Sequence, residues 1–449
     1  MFKKILIANR GEIAVRTIRA CREMGIETVA VYSTADKDCL HVQLADEAVC
    51  IGPALSKDSY LKMERILSAT LASGAEAIHP GFGFLSENSK FAELCAKCSI
   101  AFIGPDSEVI ERMGNKSEAR NTMIAANVPV VPGTKEPVYD ALQAKAIADE
   151  MGYPVMIKAS AGGGGKGMRI VRSTEEFISL FQTAQQEAQH GFADNSMYIE
   201  KYIESARHIE FQILADHYGK VIHLGERDCS IQRRHQKMIE EAPCCAISDK
   251  LRKEMGQVAV RAAKAANYKN AGTIEFILDE NQNFYFIEMN TRIQVEHGIT
   301  EMVTGIDLIK EQIKIAAGEP LSISQRDIVI KGHAIECRIN AENPRRNFMP
   351  CPGKIEALHF PGGFGVRIDT MLYQGYTLPP CYDSLVAKVI VHADTREEAI
   401  HKMLSTLGEI IIDGIDTNTD FLLDLINEEE FLDGKITTDF VQKVLNNNK

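Results

Sequence analysis

The sequence lacks the features that would indicate a nucleic-acid-binding or membrane protein. Its 62 acidic residues outnumber its 50 lysines and arginines, and the net charge of −12 argues against a basic footprint for nucleic acid. No apolar stretch approaches the roughly 18 residues of a membrane span. The apolar run within Met1–Arg10 is too brief for a signal peptide. We therefore expect neither nucleic acid nor a membrane as a partner.

Paired cysteines are also missing. The 11 cysteines are scattered, and the C-x-x-C spacing of Cys95 and Cys98 has no second pair at the distance of a metal site. A chain of 449 residues can bury a large core without disulfides. We expect reduced thiols and a cytoplasmic location.

Both common glycine signatures of nucleotide binding are absent. The turn Asn9–Glu12 is not G-x-G-x-x-G, and the lysine of the glycine run is followed by Gly167 instead of Ser or Thr. What is present is Ser160–Gly167, with four consecutive glycines between the predicted strands Pro154–Lys158 and Met168–Val171. Glycine costs backbone entropy, so the run predicts a close approach to a ligand, with N–H groups folding over phosphates as a mobile lid. A merely flexible loop is the alternative.

Length and strand pattern predict about three domains. The strand Lys4–Ala8, the helix Glu12–Met24 and the strand Thr28–Tyr32 form a βαβ unit, which is typical of a doubly wound parallel sheet. A linker rich in proline, Val128–Pro137, leads into a second unit, and short strands with Pro/Gly turns follow from about Ile328. The predicted units are residues 1–113, 114–330 and 331–449, with a lid subdomain at about 131–203.

One predicted β-hairpin concentrates acidic side chains. Its strands are Thr273–Leu278 and Phe284–Met289, joined by the polar turn Asp279–Asn283. Because side chains alternate along a strand, Glu288 and Asn290 should share a face, together with both phenylalanines of the second strand.

The register of this hairpin decides where Glu275 points. Glu275 joins Glu288 and Asn290 only if paired residue numbers sum to an odd value, as when 275 lies opposite 286, and a one-residue slip turns it away. In the register that we favour, two carboxylates and an amide converge. Such a patch predicts a Mg²⁺ or Mn²⁺ site that also takes nucleotide phosphates. The alternative is that the acids simply face solvent.

Two charged segments lie before and after the hairpin. The run Arg227–Lys237 is either a solvated face or an anion-capturing one. After the hairpin, Arg292, Gln294 and Glu296 alternate with other residues, and an extended segment would place all three on one side, ready for a small planar anion. The basic members of the first run are Arg227, Arg233, Arg234, His235 and Lys237.

Two more features stand where ligands bind in α/β proteins. The loop His79–Asn88 follows a predicted strand and contains two glycines, a proline and two aromatic residues near its centre. A tight turn before a helix starting near Ser86 is the alternative. Lys116 stands at a predicted helix start, which would suit a phosphate, although a lone surface lysine would look the same.

Taken together, these motifs resemble those of the ATP-grasp ligases and, more narrowly, of the biotin carboxylase subunits of bacterial acetyl-CoA carboxylases. The resemblance runs essentially end to end. It is carried by Ile7–Ile13, His79–Asn88, Lys158–Gly167, Arg227–Glu241, Phe286–His297, Glu336–Asn340 and Asp413–Ile415. It implies an α/β and α+β multidomain protein: an N-terminal Rossmann-like doubly wound domain, a central ATP-grasp domain with a glycine-rich lid, and a C-terminal mixed β/α domain.

The resemblance implies ATP-dependent carboxylation of biotin by bicarbonate through carboxyphosphate. This is the first half-reaction of acetyl-CoA carboxylase, which makes malonyl-CoA for fatty acid synthesis. A biotin carboxylase subunit of another enzyme, such as pyruvate carboxylase, is the alternative. No Met-Lys-Met occurs in the sequence, so we expect a stand-alone subunit that acts on a separate biotin carboxyl carrier protein. Carboxyltransferase subunits are the other expected partners.

The resemblance also implies roles for individual residues. Nucleotide binding falls to Lys116, Lys158, Gly164, Gly165, Glu200, Lys201, Tyr202, Ile203, His208, His235, Glu275 and Glu288. Two Mg²⁺ or Mn²⁺ ions fall to Glu275, Glu288 and Asn290. Bicarbonate falls to Lys237, Arg292, Gln294, Val295 and Glu296, with Glu296 as the base. Biotin falls to Arg338, Phe82 and Gly83. The catalytic residues are then Arg292, Glu296, Lys237 and Arg338.

By the same analogy we expect a homodimer, with Arg19, Glu23, Phe364 and Arg367 as candidate contacts. The chain departs from the usual pattern at two positions. Phe82 stands where a tyrosine is usual, so a phenolic hydrogen bond near biotin would be missing. Gly298 stands where a proline is usual, which predicts a looser segment behind Glu296.

Overall fold

The computed structural model of the protein describes residues 1–159, 168–192 and 194–447. Its N-terminal part is a parallel sheet of five strands in the order β3-β2-β1-β4-β5. The strands are β1 (Lys4–Ile7), β2 (Glu27–Ser33), β3 (Glu47–Gly52), β4 (Ala77–His79) and β5 (Ala101–Phe102). The helices are α1 (Gly11–Glu23), α2 (Leu40–Leu44), α3 (Met63–Ser73), α4 (Ser89–Lys97) and α5 (Ser107–Gly114). Strands extend outward on both sides of β1, which confirms the predicted doubly wound sheet.

Burial explains why this sheet forms. Ile5, Leu6 and Ile7 on β1 are all fully buried, as expected for a parallel strand that is covered on both faces. The helix after the loop His79–Asn88 begins at Ser89 and not near Ser86. The side chain of Asn88 caps it by accepting a hydrogen bond from the N–H of Phe91 (2.9 Å).

An antiparallel sheet of three strands, ordered β7-β6-β8, lies within the predicted lid subdomain. Its elements, with the preceding helices, are α6 (Lys116–Ala125), α7 (Ala141–Met151), β6 (Val155–Ala159), β7 (Met168–Val171), α8 (Phe177–Phe192) and β8 (Met197–Lys201). Val155, Ile157, Phe177 and Phe181 form its core. The strands predicted on each side of the glycine run are confirmed, whereas the run itself lies outside the described residues.

The largest sheet among the described residues is antiparallel and has eight strands, in the order β13-β12-β9-β10-β11-β14-β19-β18. Its first five strands in the chain are β9 (Arg207–Ala215), β10 (Val221–Arg233), β11 (Gln236–Ala242), β12 (Asn270–Leu278) and β13 (Phe284–Asn290). The others are β14 (His333–Asn340), β18 (Val366–Thr370) and β19 (Leu385–Ala393). Because β11 pairs with β14, one hydrogen-bonded sheet continues across the predicted boundary at 330/331. The boundaries themselves stay predictions.

The remaining elements complete the second half of the chain. The helices are α9 (Asp249–Ala265), α10 (His297–Thr304), α11 (Leu308–Ala316), α12 (Arg396–Glu409), α13 (Thr419–Asn427), α14 (Glu429–Leu432) and α15 (Phe440–Asn447). The short strands are β15 (Glu342–Asn343), β16 (Met349–Pro350), β17 (Ala357–His359) and β20 (Ile411–Asp413). Within the described ranges, no helix combines the length and apolar character needed to cross a lipid bilayer.

The acidic hairpin formed by β12 and β13 has the favoured odd-sum register where its acids lie. Glu275 is directly opposite Glu288, so the two side chains share a face. The example pairing of Glu275 with residue 286 is wrong, because a bulge separates these positions.

The bulge also changes which face the phenylalanines occupy. Past it, Phe276 lies opposite Phe286, so β13 contributes an additional residue between the paired positions 286 and 288. Phe284 and Phe286 therefore pack with Met289 in the core. The prediction that both phenylalanines share the face of Glu288 is wrong, because an uninterrupted alternation does not hold across a bulge.

Candidate active site

A half-buried ammonium group joins two acids of the eight-stranded sheet to Glu296. Lys237 Nζ on β11 lies 2.5 Å from Glu210 Oε2, 2.7 Å from Glu296 Oε1 and 3.1 Å from Glu275 Oε1. Burial alone would lower the pKa of Lys237, but these carboxylates, first Glu210, raise it well above its usual value. Lys237 therefore remains charged and holds three elements together.

Arg227 forms the floor of this cluster. It is 0% exposed on β10, so the solvated-face interpretation of the charged run is wrong for this residue. Its guanidinium donates to Glu210 Oε1 (2.5 Å), Gln212 Oε1 (2.8 Å), Thr300 Oγ1 (2.9 Å) and Thr273 Oγ1 (3.1 Å). A buried cation with this many acceptors fixes Glu210, which in turn orients Lys237.

Glu275 is the most heavily contacted acid of the hairpin. Its Oε1 accepts hydrogen bonds from Asn290 Nδ2 (2.8 Å), Gln294 Nε2 (3.0 Å) and Lys237 Nζ (3.1 Å), while His208 Nε2 lies 2.9 Å from Oε2. Although burial favours the neutral acid, Lys237 and then His208 hold the pKa of Glu275 below its usual value.

Glu288 faces Glu275 and differs from it. Its side chain reaches solvent, yet surrounding protein atoms, and then the charge of Glu275, raise its pKa. Facing carboxylates and an adjacent amide are the ligand set that Mg²⁺ or Mn²⁺ prefers. In addition, His208, Glu210 and Glu275 place ligand atoms within 4.8 Å of one another. These residues fit a divalent cation, and the individual ligand roles of Glu275, Glu288 and Asn290 stay predictions.

The segment after the hairpin brings its polar groups together by a turn. Residues 291–296 are irregular, so the predicted extended conformation is wrong. The reason is that Glu296 takes near-helical angles (φ −80°, ψ 12°) as the residue before α10. The convergence is confirmed directly for two of the three: Arg292 Nη1 donates to Gln294 Oε1 (2.9 Å), and Arg292 Nη2 donates to Asn290 Oδ1 (3.0 Å). Glu296 is linked to them through Lys237, which contacts both Glu296 and Glu275, the acceptor of Gln294.

Glu296 connects this segment to the strand that carries Arg338. Arg338 on β14 donates from Nη2 to Glu296 Oε2 (2.9 Å) and from Nε to Glu240 Oε1 (2.6 Å). Glu296 is fully buried. Although burial acts in the opposite direction, Lys237 first and Arg338 next lower the pKa of Glu296 well below its usual value.

The loop His79–Asn88 reaches the site through Glu87. Glu87 Oε2 accepts from Arg292 Nε (2.9 Å), and Glu87 Oε1 accepts from the N–H of Thr291 (3.0 Å). Asn9 Nδ2 fixes the loop by donating to the carbonyl of Phe82 (2.7 Å). Phe82 is half-buried and Gly83 is exposed; their predicted contact with biotin stays a prediction.

The predicted phosphate-binding residues lie at the rim. Lys116 is exposed at the first position of α6, and His235 is exposed in the β10–β11 turn. Lys158 on β6 is ion-paired with Glu200 on β8. His208 contacts Glu275, as described above. Gly164 and Gly165 lie outside the described residues.

The segment predicted to contact adenine already uses part of its backbone. The N–H of Lys201 donates to the carbonyl of Pro132 (2.8 Å), and the N–H of Tyr202 donates to that of Pro154 (3.1 Å). Of the donors in this segment we therefore expect the N–H of Ile203 to face the base.

Comparison with known proteins agrees with this geometry. Family models described as "Biotin carboxylase, N-terminal domain", "Carbamoyl-phosphate synthase L chain, ATP binding domain" and "Biotin carboxylase C-terminal domain" match residues 1–110, 115–324 and 336–443. The chain is 58% identical over 443 residues to "Biotin carboxylase 1" of Bacillus subtilis (strain 168), covering 98% of each chain. The chain belongs to the biotin carboxylase family. Members of this family are ATP-dependent ligases of the ATP-grasp type, which confirms the predicted enzyme class.

Solved structures of biotin carboxylases have the same fold. The β,γ-ATP complex of the biotin carboxylase from Campylobacter jejuni has a TM-score of 0.95 at 48% identity, with 99% of each chain covered. The biotin carboxylase domain dimer of the 2-oxoglutarate carboxylase from Hydrogenobacter thermophilus, in complex with MgADP, ADP and bicarbonate, has a TM-score of 0.94 at 52% identity. That match covers 99% of this chain and 98% of the other.

Sequence reasoning missed three acids of this biotin carboxylase site. Glu210 pairs with Lys237 and Arg227, Glu240 pairs with Arg338, and Glu87 pairs with Arg292. A signal existed for Glu210, because polar residues alternate with apolar ones along β9, which places His208, Glu210 and Gln212 on one face. Glu240 and Glu87 carried no comparable pattern.

Gly298, where a proline is usual in the family, lies in the first turn of α10. A Cβ added there would come within 2.4 Å of Ile390 Cδ1 on β19. The glycine thus permits close packing of α10 on the sheet. A larger residue would require Ile390 to move.

Proposed function

We propose that this chain carboxylates biotin on a separate biotin carboxyl carrier protein, using ATP and bicarbonate, with carboxyphosphate as the intermediate. This is the first half-reaction of acetyl-CoA carboxylase. The observation that carries the proposal is the cluster in which Lys237 contacts Glu275 and Glu296 and Arg338 contacts Glu296. Arg292 lies beside it, bonded to Gln294 and Asn290, which both donate to Glu275. The cations would bind a small anion, Glu275 would help to bind a metal-bound nucleotide, and Glu296 would act as the base.

Bicarbonate would be held by Lys237, Arg292, Gln294 and the backbone of Val295. In this structure the cations are already paired with acids, so the anion would exchange for existing partners. Lys237 would turn from Glu296 to bicarbonate, and Arg292 has two free donor directions once Gln294 rotates. Charge-assisted bonds of this type are directional, which suits a planar anion.

The same exchange prepares Glu296 as the base. While Lys237 and Arg338 bind it, the pKa of Glu296 is held low and the carboxylate is a weak base. When Lys237 binds bicarbonate and Arg338 turns to biotin, the contacts that stabilise the ionised form of Glu296 weaken. The basicity of Glu296 therefore rises. Glu296 then accepts the bicarbonate proton most readily when both substrates are in place.

Nucleotide binding would involve Lys116, Lys158, His208 and His235 at the phosphates and ribose, and the segment 200–203 at the adenine. Gly164 and Gly165 would close over the phosphates. Glu275, Glu288 and Asn290 would hold Mg²⁺ or Mn²⁺. When bound, the metal ions neutralise the charge of the transferring phosphoryl group. Excluding water would protect carboxyphosphate from hydrolysis.

Arg338 would stabilise the enolate form of the biotin ureido group, next to the loop of Phe82 and Gly83. Its guanidinium is fixed by Glu240 through Nε, so Nη1, and Nη2 once it leaves Glu296, can reach a ligand. A half-buried, preorganised cation suits a developing oxyanion, because it needs little rearrangement in the transition state.

The proposal also includes carboxyltransferase subunits as partners and a cytoplasmic location. The chain is further proposed to form a homodimer. Among the candidate dimer contacts, Phe364 is a large apolar side chain with 96% exposure. Arg367 is itself ion-paired with Asp369 (2.7 Å) and Glu301 (2.6 Å). Glu23 is ion-paired with Lys310 (2.6 Å).

Substrate dependence tests the function directly. We expect ADP formation to require bicarbonate and to rise when free biotin is added to the purified protein. ATP turnover that ignores both compounds would contradict the proposal. Adding carboxyltransferase subunits with acetyl-CoA or with pyruvate as acceptor then distinguishes acetyl-CoA carboxylase from the pyruvate carboxylase alternative.

The role of Arg338 has its own test. Arg338→Gln should lower biotin carboxylation about 100-fold and spare bicarbonate-dependent ATP cleavage more. Arg396→Gln is the matched control, since Arg396 is also a half-buried arginine paired with a buried glutamate, Glu241. It should leave both rates nearly unchanged. Equal losses of both activities in Arg338→Gln would contradict the assigned role.

A further inference from the structure

Lys388 is a fully buried lysine that contacts the backbone of the proposed bicarbonate segment. It lies on β19 with 0% exposure, and its Nζ donates to the carbonyl of Val295 at 2.7 Å. It belongs to none of the motifs that carry the family resemblance. An ammonium group without solvent must be compensated by charge and hydrogen bonds, or it destabilises the fold.

The compensating acids come from two other parts of the chain. Glu12 on α1 lies 3.4 Å from Lys388 Nζ, and Asp369 on β18 lies 3.7 Å from it. Burial would lower the pKa of Lys388, and Glu12, followed by other acids, raises it instead. Asp369 has a second partner in Arg367 (2.7 Å). The lysine is therefore charged, and its shortest polar contact is to Val295 and not to either acid.

The carbonyl of Val295 is positioned to matter for catalysis. It precedes Glu296, the residue directly before α10, so it lies outside the helix's own hydrogen bonds. The peptide unit that carries this carbonyl also carries the N–H of Glu296. Holding the carbonyl fixes the plane of that peptide, and with it the direction in which the Glu296 side chain leaves the backbone.

We propose that Lys388 is a positioning residue for bicarbonate: by holding the Val295 carbonyl, it orients the Gln294–Val295–Glu296 backbone so that its anion-binding groups and the Glu296 carboxylate face the substrate. This inference rests on the proposed function of the 292–296 segment. It is distinct from that function, because Lys388 itself touches neither substrate nor metal.

A purely structural lysine would give a different response. If Lys388 served only to neutralise Glu12 and Asp369, its loss would lower stability and affect all substrates alike. If Lys388 positions the segment, its loss raises KM for bicarbonate more than KM for ATP. The two roles can be separated because Glu12 supplies charge to Lys388 but does not contact Val295 through any described hydrogen bond.

The experiment compares Lys388→Met, Glu12→Gln and the double variant Lys388→Met/Glu12→Gln in the full chain. Methionine keeps the length of the side chain and removes the donor. In the double variant Glu12 is no longer an unpaired buried charge, and Asp369 keeps Arg367, so this variant remains testable even if Lys388→Met alone fails to fold. KM for bicarbonate, KM for ATP and kcat are measured from ADP formation, with thermal unfolding in parallel.

We expect Lys388→Met and the double variant to raise KM for bicarbonate about tenfold or more, since small misplacements of catalytic groups are costly. Glu12→Gln should stay within about twofold of the parent protein. KM for ATP should change little in all variants. An unchanged KM for bicarbonate in the double variant, or equal changes for ATP and bicarbonate, would overturn the inference.

A separate control distinguishes failure of this inference from failure of the proposed function. Arg292→Gln removes a group that the proposed function places on bicarbonate. If Arg292→Gln raises KM for bicarbonate and the double variant does not, only the role of Lys388 is wrong. If neither variant changes KM for bicarbonate, the 292–296 segment is not the bicarbonate site and both proposals are wrong.

Discussion

Glu240 and Glu241 are neighbours on β11, are both buried, and have opposite acid–base properties. Glu240 points to the catalytic cluster, and its pKa is raised to about 7. Glu241 points to the other face, where its pKa is lowered to about 2. Strand alternation places them on opposite faces of the sheet. The partners available on each face then set the pKa of each carboxyl group.

On its face of the sheet, Glu241 has hydrogen-bond partners for both carboxylate oxygens. Glu241 Oε2 lies 2.8 Å from His333 Nε2 and 2.7 Å from Arg396 Nε, and Oε1 accepts from Arg396 Nη2 (3.0 Å). Burial would raise the pKa of Glu241, but the hydrogen bonds from His333 and Arg396 outweigh it. With both oxygens bonded, this carboxylate holds β11, β14 and α12 in one arrangement.

On the opposite face, Glu240 has a hydrogen-bond partner for only one carboxylate oxygen. Glu240 Oε1 is bonded to Arg338, whereas Oε2 has no hydrogen-bond partner among residues 1–159, 168–192 and 194–447. Directly opposite lies Glu336, another buried acid with a raised pKa. Desolvation raises the pKa of Glu240, and the attraction of Arg338 offsets only part of this. We infer that Glu241, with both oxygens bonded, maintains the fold, while Glu240, with one oxygen unbonded, is available to exchange partners.

The largest expected effect is the loss of activity on changing an acid of the catalytic face. Glu296→Gln should lower kcat for bicarbonate-dependent ATP cleavage about 100- to 10,000-fold, because the base is lost. Stability should change little, since Lys237 and Arg338 keep Glu210, Glu275 and Glu240 as partners. Steady-state kinetics and thermal unfolding measure the two effects. A stability loss that matches the rate loss would make Glu296 a structural acid.

The next effect is the loss of stability on changing the saturated acid. Glu241→Gln should cost about 3 kcal/mol near neutral pH, because His333 and Arg396 lose a buried partner. The folded pKa of about 2 lies below the ordinary 4.5, so this contribution is present above pH 4.5 and is lost as the pH falls toward 2. Urea unfolding of both proteins at several pH values should show the gap narrowing on acidification, with kcat unchanged at neutral pH.

The smallest effect is a change in the pH dependence of stability on replacing Glu240. The folded pKa of about 7 lies above the ordinary 4.5, so ionising Glu240 costs stability progressively as the pH rises from 4.5 to 7. Glu240→Gln lacks this cost and should gain about 1 to 3 kcal/mol relative to the parent protein across that range. Opposite pH slopes for Glu240→Gln and Glu241→Gln sharpen the comparison, and parallel slopes contradict it.

Much of the fold followed from local pattern. Continuous apolar strands and an amphipathic helix predicted the doubly wound sheet, and β6, β7, β12 and β13 lie close to their predicted positions. Their apolar runs mark most of the ends, although β12 begins at Asn270, before the predicted Thr273. The bulge in β13 was not predictable, because one additional residue changes no composition and breaks the alternation only through pairing with β12.

Site residues followed the same division. Motif likeness gave Lys237, Arg292, Glu296 and Arg338, and the hairpin pattern gave Glu275 and Glu288. Neither source predicted the residues that orient these side chains. Glu87 and Glu12 lie in the first hundred residues and reach Arg292 and Lys388 only after the sheets assemble. Sequence distance hides such pairs.

The sequence by itself determined which chemical groups are present, the strand faces on which most of them lie, and the family. Those properties depend on residue type and on periods of two or 3.6 residues, which are local. Only the tertiary structure decided which acids are saturated and which are left partly unpaired. That difference depends on burial and on partners contributed by distant strands, since a carboxylate's pKa is set by everything packed around it.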